Sequence, residues 1–228
     1  ILFTQRTLAR GHETELKPST ETKPVLGCDI ARFGSDFSTV YSFHDGVLRL
    51  EAMWSKTDTV ETSEKIADIA TRLSVKEVRI DGVGIGAGVY DMVTRLAVSR
   101  WETVGMIGNA ASPDLDKWAN ARAYWYDSMR EKMATGKLDT DFADKTLKEE
   151  LEGIQYKFNN HGGIQIESKD EMARRGVKSP DFADAAVYAC ADLPIDPSDP
   201  IAKYRPGDIF EIQASDFLAE QEQMVSYY

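Results

Sequence analysis

Val25-Leu26-Gly27-Cys28-Asp29-Ile30 is a short apolar run carrying one carboxylate near its end. Pro24 precedes it, and a Gly34-Ser35-Asp36 turn follows it. Such a run reads as a central strand, where a charged side chain is expensive to bury without a partner. Phe37 to Phe43 is rich in β-forming residues, and His44-Asp45-Gly46 is a tight hairpin turn built on the Asp-Gly pair. Val47 to Trp54 returns as a third strand, so the chain opens with an antiparallel meander.

Beyond the meander the period changes. Val60, Ile66, Ile69, Ala70 and Leu73 share one face of a helix over Thr59 to Leu73, capped by Thr57, Asp58 or Thr59. Val75 to Asp81 is a fourth strand. It ends in the glycine-rich Gly82-Val83-Gly84-Ile85-Gly86-Ala87-Gly88, from which a helix runs to about Ser99. Glu102 to Ile107 is a fifth strand. The order β-β-β-α-β-α-β predicts a mixed five-stranded α/β sheet, three antiparallel strands followed by parallel ones, flanked by helices. Helices follow over Asn120–Ala134 and Asp144–Leu151, then a hairpin of Ile154–Phe158 with Ile164–Ser168. A last helix starts near Ser179-Pro180-Asp181, with Ser179 as its cap, and runs to Ala191. Residues 1–24 are polar and read as a linker from a missing upstream domain. Residues 25–193 form the main domain, and 194–228 an acidic tail. The chain starts at Ile1 without Met and reads as part of a longer protein.

Of 228 residues, 27 are Lys or Arg and 38 are Asp or Glu, a net charge of −11. The composition excludes a fibrous or wholly disordered chain. No apolar run is long enough to span a membrane. The acidity argues against a basic, non-specific DNA coat, but not against an enzyme that handles DNA through local basic groups and metal. Residues 191–228 hold eight of the acids and two of the bases. Cys28 and Cys190 lie in apolar segments and read as small buried hydrophobes. His12, His44 and His161 fall in a tail and two turns and read as solvated.

The carboxylates carry the chemistry. Asp29 sits at the end of the first strand and Asp81 at the end of the fourth. Asp181 and Asp184 are i and i+3 in the opening turns of the last helix, so they share a face. Each alone has an ordinary structural explanation, such as a turn or a helix N-terminus. In a sheet of this order the first and fourth strands are neighbours, and the last helix packs across them. The carboxylates then meet at one edge, where they repel one another and need a cation. Carboxylate oxygens suit two divalent cations, Mg²⁺ or Mn²⁺, which could clamp the attacking and leaving oxygens of a phosphodiester. Lys169, Arg174, Arg175 and Lys178, in a basic stretch just ahead of the carboxylate helix, read as DNA phosphate contacts, with Arg122 as a further one. Trp118, Tyr124, Trp125 and Tyr126 read as core. Gly82 to Ala87 also matches G-x-G-x-x-A, a dinucleotide fingerprint, but the preceding meander is the wrong context for it. No G-x-x-x-x-G-K-[ST] occurs, so the chain holds no Walker site.

Gly27 to Thr39 resembles the first acidic motif of the nuclease domain of tailed-bacteriophage terminase large subunits. Arg79 to Val89 resembles the second, and Ser179 to Ala185 is similar to the third. Asn120-Ala121-Arg122 and Ile164 to Lys169 are also similar to family features. The resemblance covers about residues 24–193. It implies a ribonuclease H-like fold of the resolvase superfamily and a metal-dependent endonuclease that cuts concatemeric viral DNA at the start and end of packaging. It implies that Asp29 bridges two metals, with Asp81 and Asp184 each holding one. Asp181 stands where some relatives carry a His, its role open between ligand, general base and neighbour of the ligands. Asp36 matches a loop Asp of the family. Implied partners are double-stranded DNA and, in the complete protein, an N-terminal ATPase domain, the small terminase subunit and the portal protein. No membrane is involved; the implied location is the host cell cytoplasm, outside the mature virion. Two readings stand beside this one: a resolvase-like nuclease outside terminases, and a nucleotide-binding ribonuclease H-fold ATPase module.

Overall fold

The computed structural model describes residues 1–31, 37–82, 84–141 and 143–193. The Gly34-Ser35-Asp36 turn, with the candidate Asp36, and the tail at 194–228 lie outside the described residues. The elements are α1 (Gln5–Glu13), β1 (Val25–Asp29), β2 (Ser38–His44), β3 (Val47–Trp54), α2 (Thr59–Leu73), β4 (Glu77–Asp81), α3 (Ile85–Ala97) and β5 (Glu102–Met106). They continue with α4 (Ala121–Ala134), β6 (Asp139–Thr140), α5 (Lys145–Gly153), β7 (Tyr156–Phe158), β8 (Ile164–Ile166), α6 (Lys169–Arg174) and α7 (Asp181–Cys190).

The main sheet runs β5-β4-β1-β2-β3-β6, and β7 pairs with β8 in a separate hairpin. β1 is antiparallel to β2, and β2 to β3. β4 is parallel to β1 and to β5. The expected five strands are all present. The sheet gains a sixth, β6, parallel to β3. At two residues it is too short to carry a period-2 signal.

Side-chain alternation divides the sheet between two cores. Leu26 and Cys28 of β1 and Val78 and Ile80 of β4 pack with Ile66, Ala70, Val89 and Val93 of α2 and α3. The opposite face is covered by α7, whose ten residues are all buried. Gly27 makes this contact possible: a Cβ there would collide with the backbone of Ala185 and Ala189. On β4, Arg79 reaches across the same face and donates to the carbonyls of Tyr188 and Ala191 at 2.9 and 2.7 Å, tying down the C-terminus of α7.

Within residues 1–24, the first part packs on the main domain. α1 is capped by Thr4, and Phe3 and Leu8 are fully buried in the α7-side core. Leu2 N–H donates to Ile154 O at 2.9 Å, and the Phe3 ring meets Tyr126 edge-on at 6.5 Å. Three apolar residues, Leu2, Phe3 and Leu8, dock this segment, too few to stand out from its polar surroundings. The start of α7 differs from the expected one. Pro180, not Ser179, is the N-cap, and it supplies no side-chain acceptor.

Candidate active site

Cys28 of β1 lies opposite Ile80 of β4. Asp29 and Asp81 are the next residues, so they sit side by side at the C-terminal ends of two parallel strands. Asp29 follows Gly27, and Asp81 follows Arg79, at a spacing of two. Both carboxylates therefore fall on the α7 face. α7 brings Asp184, 1% exposed, into the same place from its first turn. Asp181 is bound to the edge of β2: its carbonyl accepts from Thr39 Oγ1 at 2.7 Å, and its Oδ2 from Phe37 N–H at 3.1 Å. The four predicted carboxylates thus converge, and Asp29 is electrostatically sensitive to the other three.

Burial raises the Asp29 carboxyl well above the usual carboxylate range. Lys169 opposes this, while Asp184, Asp81 and Asp181 add to it. Burial also pushes Asp184 up, but the charges of Arg122 and Lys169 and the Tyr126 hydrogen bond outweigh it, and its pKa lies below the usual value. Lys169 Nζ stands 3.2 Å from Asp184 Oδ2 and 3.7 Å from Asp29 Oδ2, on a side chain that is 49% exposed. Burial disfavours this ammonium, but Asp29, Asp184 and Asp81 hold it firmly protonated.

Among the described residues, no three His, Cys, Asp or Glu side chains are arranged to hold a metal ion as they stand. The donor chemistry nonetheless fits a hard divalent cation. The donors are carboxylate oxygens, and Asp184 Oδ2 is buried with no hydrogen bond of normal geometry, only the nearby ammonium. The glycine loop serves the strand-to-helix turn. Gly84 takes a positive φ of 68°, and a Cβ on Gly86 would collide with the Asp81 carbonyl.

Three of the five predicted DNA contacts, Arg122, Arg175 and Lys169, are paired with carboxylates instead. Arg122 is turned inward: Nη2 reaches Asp184 Oδ1 at 3.2 Å, Nη1 donates to Glu167 O at 2.8 Å, and its guanidinium lies over the Tyr126 ring. Arg175 forks onto Glu167, with contacts of 2.9 and 2.6 Å, and a third bond reaches Gly153 O. Buried carboxylates at these points, Asp184 and Glu167, attract the guanidinium groups more strongly than solvent does. Lys169 points into the carboxylate cluster. Arg174 and Lys178 remain exposed.

Two contributors to the site went unmarked in the sequence. Tyr126 donates to Asp184 Oδ1 at 2.6 Å. Glu150 of α5 accepts from Ala183 N–H at 2.8 Å and so supplies the acceptor that Pro180 cannot give the start of α7. For Tyr126 the available signal was its i, i+4 spacing from Arg122 on one helix face. Glu150 had none, because its partner lies 33 residues away. Cys28 and Cys190 are buried as expected, and burial pushes both thiols up, Cys190 to about 12, which leaves them poor nucleophiles. His161 is exposed in the β7–β8 turn.

A mixed sheet with carboxylates at the C-terminal ends of its first and fourth strands, crossed by an acidic helix, is a ribonuclease H-like arrangement. No family model matches the sequence, and no curated protein matches it. Solved structures do. The chain is similar to the nuclease domain of the large terminase subunit gp2 of bacterial virus Sf6, with a TM-score of 0.75 and 21% identity over 85% of this chain and 99% of that one. A lysine-to-alanine variant of that nuclease domain with manganese gives 0.73 and 21% over the same shares. The large terminase nuclease from thermophilic phage G20c with bound magnesium gives 0.59 and 12%, over 82% and 95%. At such identities the likeness is one of fold: this chain has the ribonuclease H-like fold of terminase nuclease domains.

Proposed function

We propose that the chain is a metal-dependent DNA endonuclease, the nuclease part of a tailed-phage terminase large subunit, cutting concatemeric viral DNA during packaging. The observation that carries this reading is the convergence of Asp29, Asp81 and Asp184 on one face, in the fold of nucleases whose solved structures include manganese and magnesium forms. Asp29, Asp81 and Asp184 would hold two divalent cations, Mg²⁺ or Mn²⁺, with Asp181 beside them. Such ions, when bound, activate water at neutral pH and stabilise the leaving oxygen of an in-line displacement.

The chain's own residues do the rest. β1 and β4 fix two carboxylates on rigid strand ends, and α7, pinned at Gly27 and by Arg79, brings in the third. Arg174 and Lys178 contact the phosphates of double-stranded DNA. In the complete protein the partners would be an N-terminal ATPase domain, the small terminase subunit and the portal protein, in the host cell cytoplasm and outside the mature virion. No helix among the described residues is long and apolar enough to cross a membrane.

Supercoiled plasmid incubated with the protein and EDTA, Mg²⁺ or Mn²⁺ tests the reading. Nicking in the metal lanes and none in EDTA is expected. Nicking in EDTA, or none in any lane, contradicts it.

A further inference from the structure

The two oxygens of Asp184 have different surroundings. Oδ1 receives the Tyr126 hydroxyl at 2.6 Å and Arg122 Nη2 at 3.2 Å. Oδ2 has neither, and faces Lys169 and the other carboxylates. Tyr126 and Arg122 sit one turn apart on α4, with the guanidinium over the ring at 4.9 Å, so each holds the other in place. Arg122 is anchored in turn by Glu167 O at 2.8 Å.

From this asymmetry we propose that Tyr126 is a positioning residue for the metal site, acting with Arg122 to hold Oδ1 away from the cation and present Oδ2 alone. The terminal torsion of an aspartate has a broad energy well. A charge-assisted O–H···O⁻ bond narrows it, because turning the carboxylate breaks two bonds to Oδ1 at once. Without the hydroxyl, Asp184 swings between one-oxygen and two-oxygen presentations, and the site loses its preorganised geometry. Partners that orient metal ligands in this way are worth about 10–100-fold in metal affinity.

The inference rests on the nuclease reading only for the identity of the bound cation. Its test is calorimetric titration of Mn²⁺ into wild type, Tyr126→Phe and Tyr41→Phe, with a thermal melt of each. Tyr41→Phe is the matched control, since it removes another buried hydroxyl held by a carboxylate, that of Asp144. Tyr126→Phe is expected to weaken Mn²⁺ binding about tenfold and to lower kcat for plasmid nicking, with KM for DNA unchanged. Tyr41→Phe is expected to bind Mn²⁺ as wild type does. Equal Mn²⁺ affinity in wild type and Tyr126→Phe overturns the inference and leaves the nuclease reading standing. Absence of Mn²⁺ binding by wild type overturns both. Should Tyr126→Phe not fold, Arg122→Lys carries the test: it keeps the charge but loses the fork, weaker Mn²⁺ binding is expected, and unchanged affinity overturns the inference.

Discussion

The ammonium of Lys169 stands 3.2 Å from Asp184 Oδ2 and also reaches Asp29, so the protein supplies its own counter-charge to two catalytic candidates. Removing it leaves these carboxylates to repel one another until a cation arrives. Lys169→Ala is expected to lose about 1 kcal/mol in EDTA, less than for a fully buried pair because half of the lysine side chain is exposed. That corresponds to a Tm lower by about 2–4 °C. Saturating Mn²⁺ should recover the loss, so the Mn²⁺-induced rise in Tm should be larger in the variant. Equal Mn²⁺ shifts in the two proteins would count against this role.

Gly27 is where α7 touches β1 with no side chain between them. Gly27→Ala puts a methyl group into the backbone of Ala185 and Ala189, and neither the strand nor the buried helix can yield cheaply. A loss of about 1–3 kcal/mol is expected, read as a Tm lower by on the order of 5 °C. Nicking should fall as well, because the displaced helix carries Asp184. A variant with wild-type Tm would contradict the close approach.

Glu150 gives the cation-free protein a pH dependence. Burial lifts its carboxyl from 4.5 to about 8; Asp181 and Asp184 add to this, and the N–H groups of Ala183 and Phe182 oppose it. Tyr41 and Tyr126 also lie within its electrostatic reach. A carboxyl with a raised folded pKa binds its proton more tightly in the native state, so stability falls as pH rises from about 4.5 to about 8 and then levels off. Glu150→Gln should flatten that part of the stability profile measured by urea unfolding in EDTA. An unchanged slope in the variant would show that the carboxyl titrates normally.

Arg174 and Arg175 are adjacent in sequence but face different tasks. Neutralising Arg174 and Lys178 together should reduce the slope of log affinity against log salt by up to about 2, with little change in Tm. Arg175→Gln should instead lower Tm, because it abandons the buried Glu167, and leave the salt slope nearly intact. Filter binding to duplex DNA across a salt series distinguishes them. The reverse pattern would reassign both residues.

The sheet was largely legible because its strands are short apolar runs punctuated by unambiguous turns, of which Asp45-Gly46 is the clearest. The placement of Asp29 and Asp81 follows from the strand order, which fixes their strand ends side by side, and that of Asp184 from the last helix packing across those strands. What was not legible depends on tertiary partners. An arginine facing a buried carboxylate and one facing solvent look alike in sequence, which is why Arg122 and Arg175 read as phosphate contacts. Tyr126 reads as a core aromatic because its hydroxyl finds Asp184 58 residues away. α1 leaves little trace in the sequence because Phe3 and Leu8 bury themselves from within an otherwise polar segment.

The proposed function makes Asp29, Asp81 and Asp184 one cation-dependent cutting site. It is tested most directly by plasmid nicking in Mn²⁺ with Asp29→Asn beside wild type, each checked for an intact fold by thermal melting. Wild type is expected to nick, and Asp29→Asn to melt at or above the wild-type temperature in EDTA, since it relieves repulsion, yet not to nick. A folded Asp29→Asn protein that nicks at the wild-type rate would contradict it.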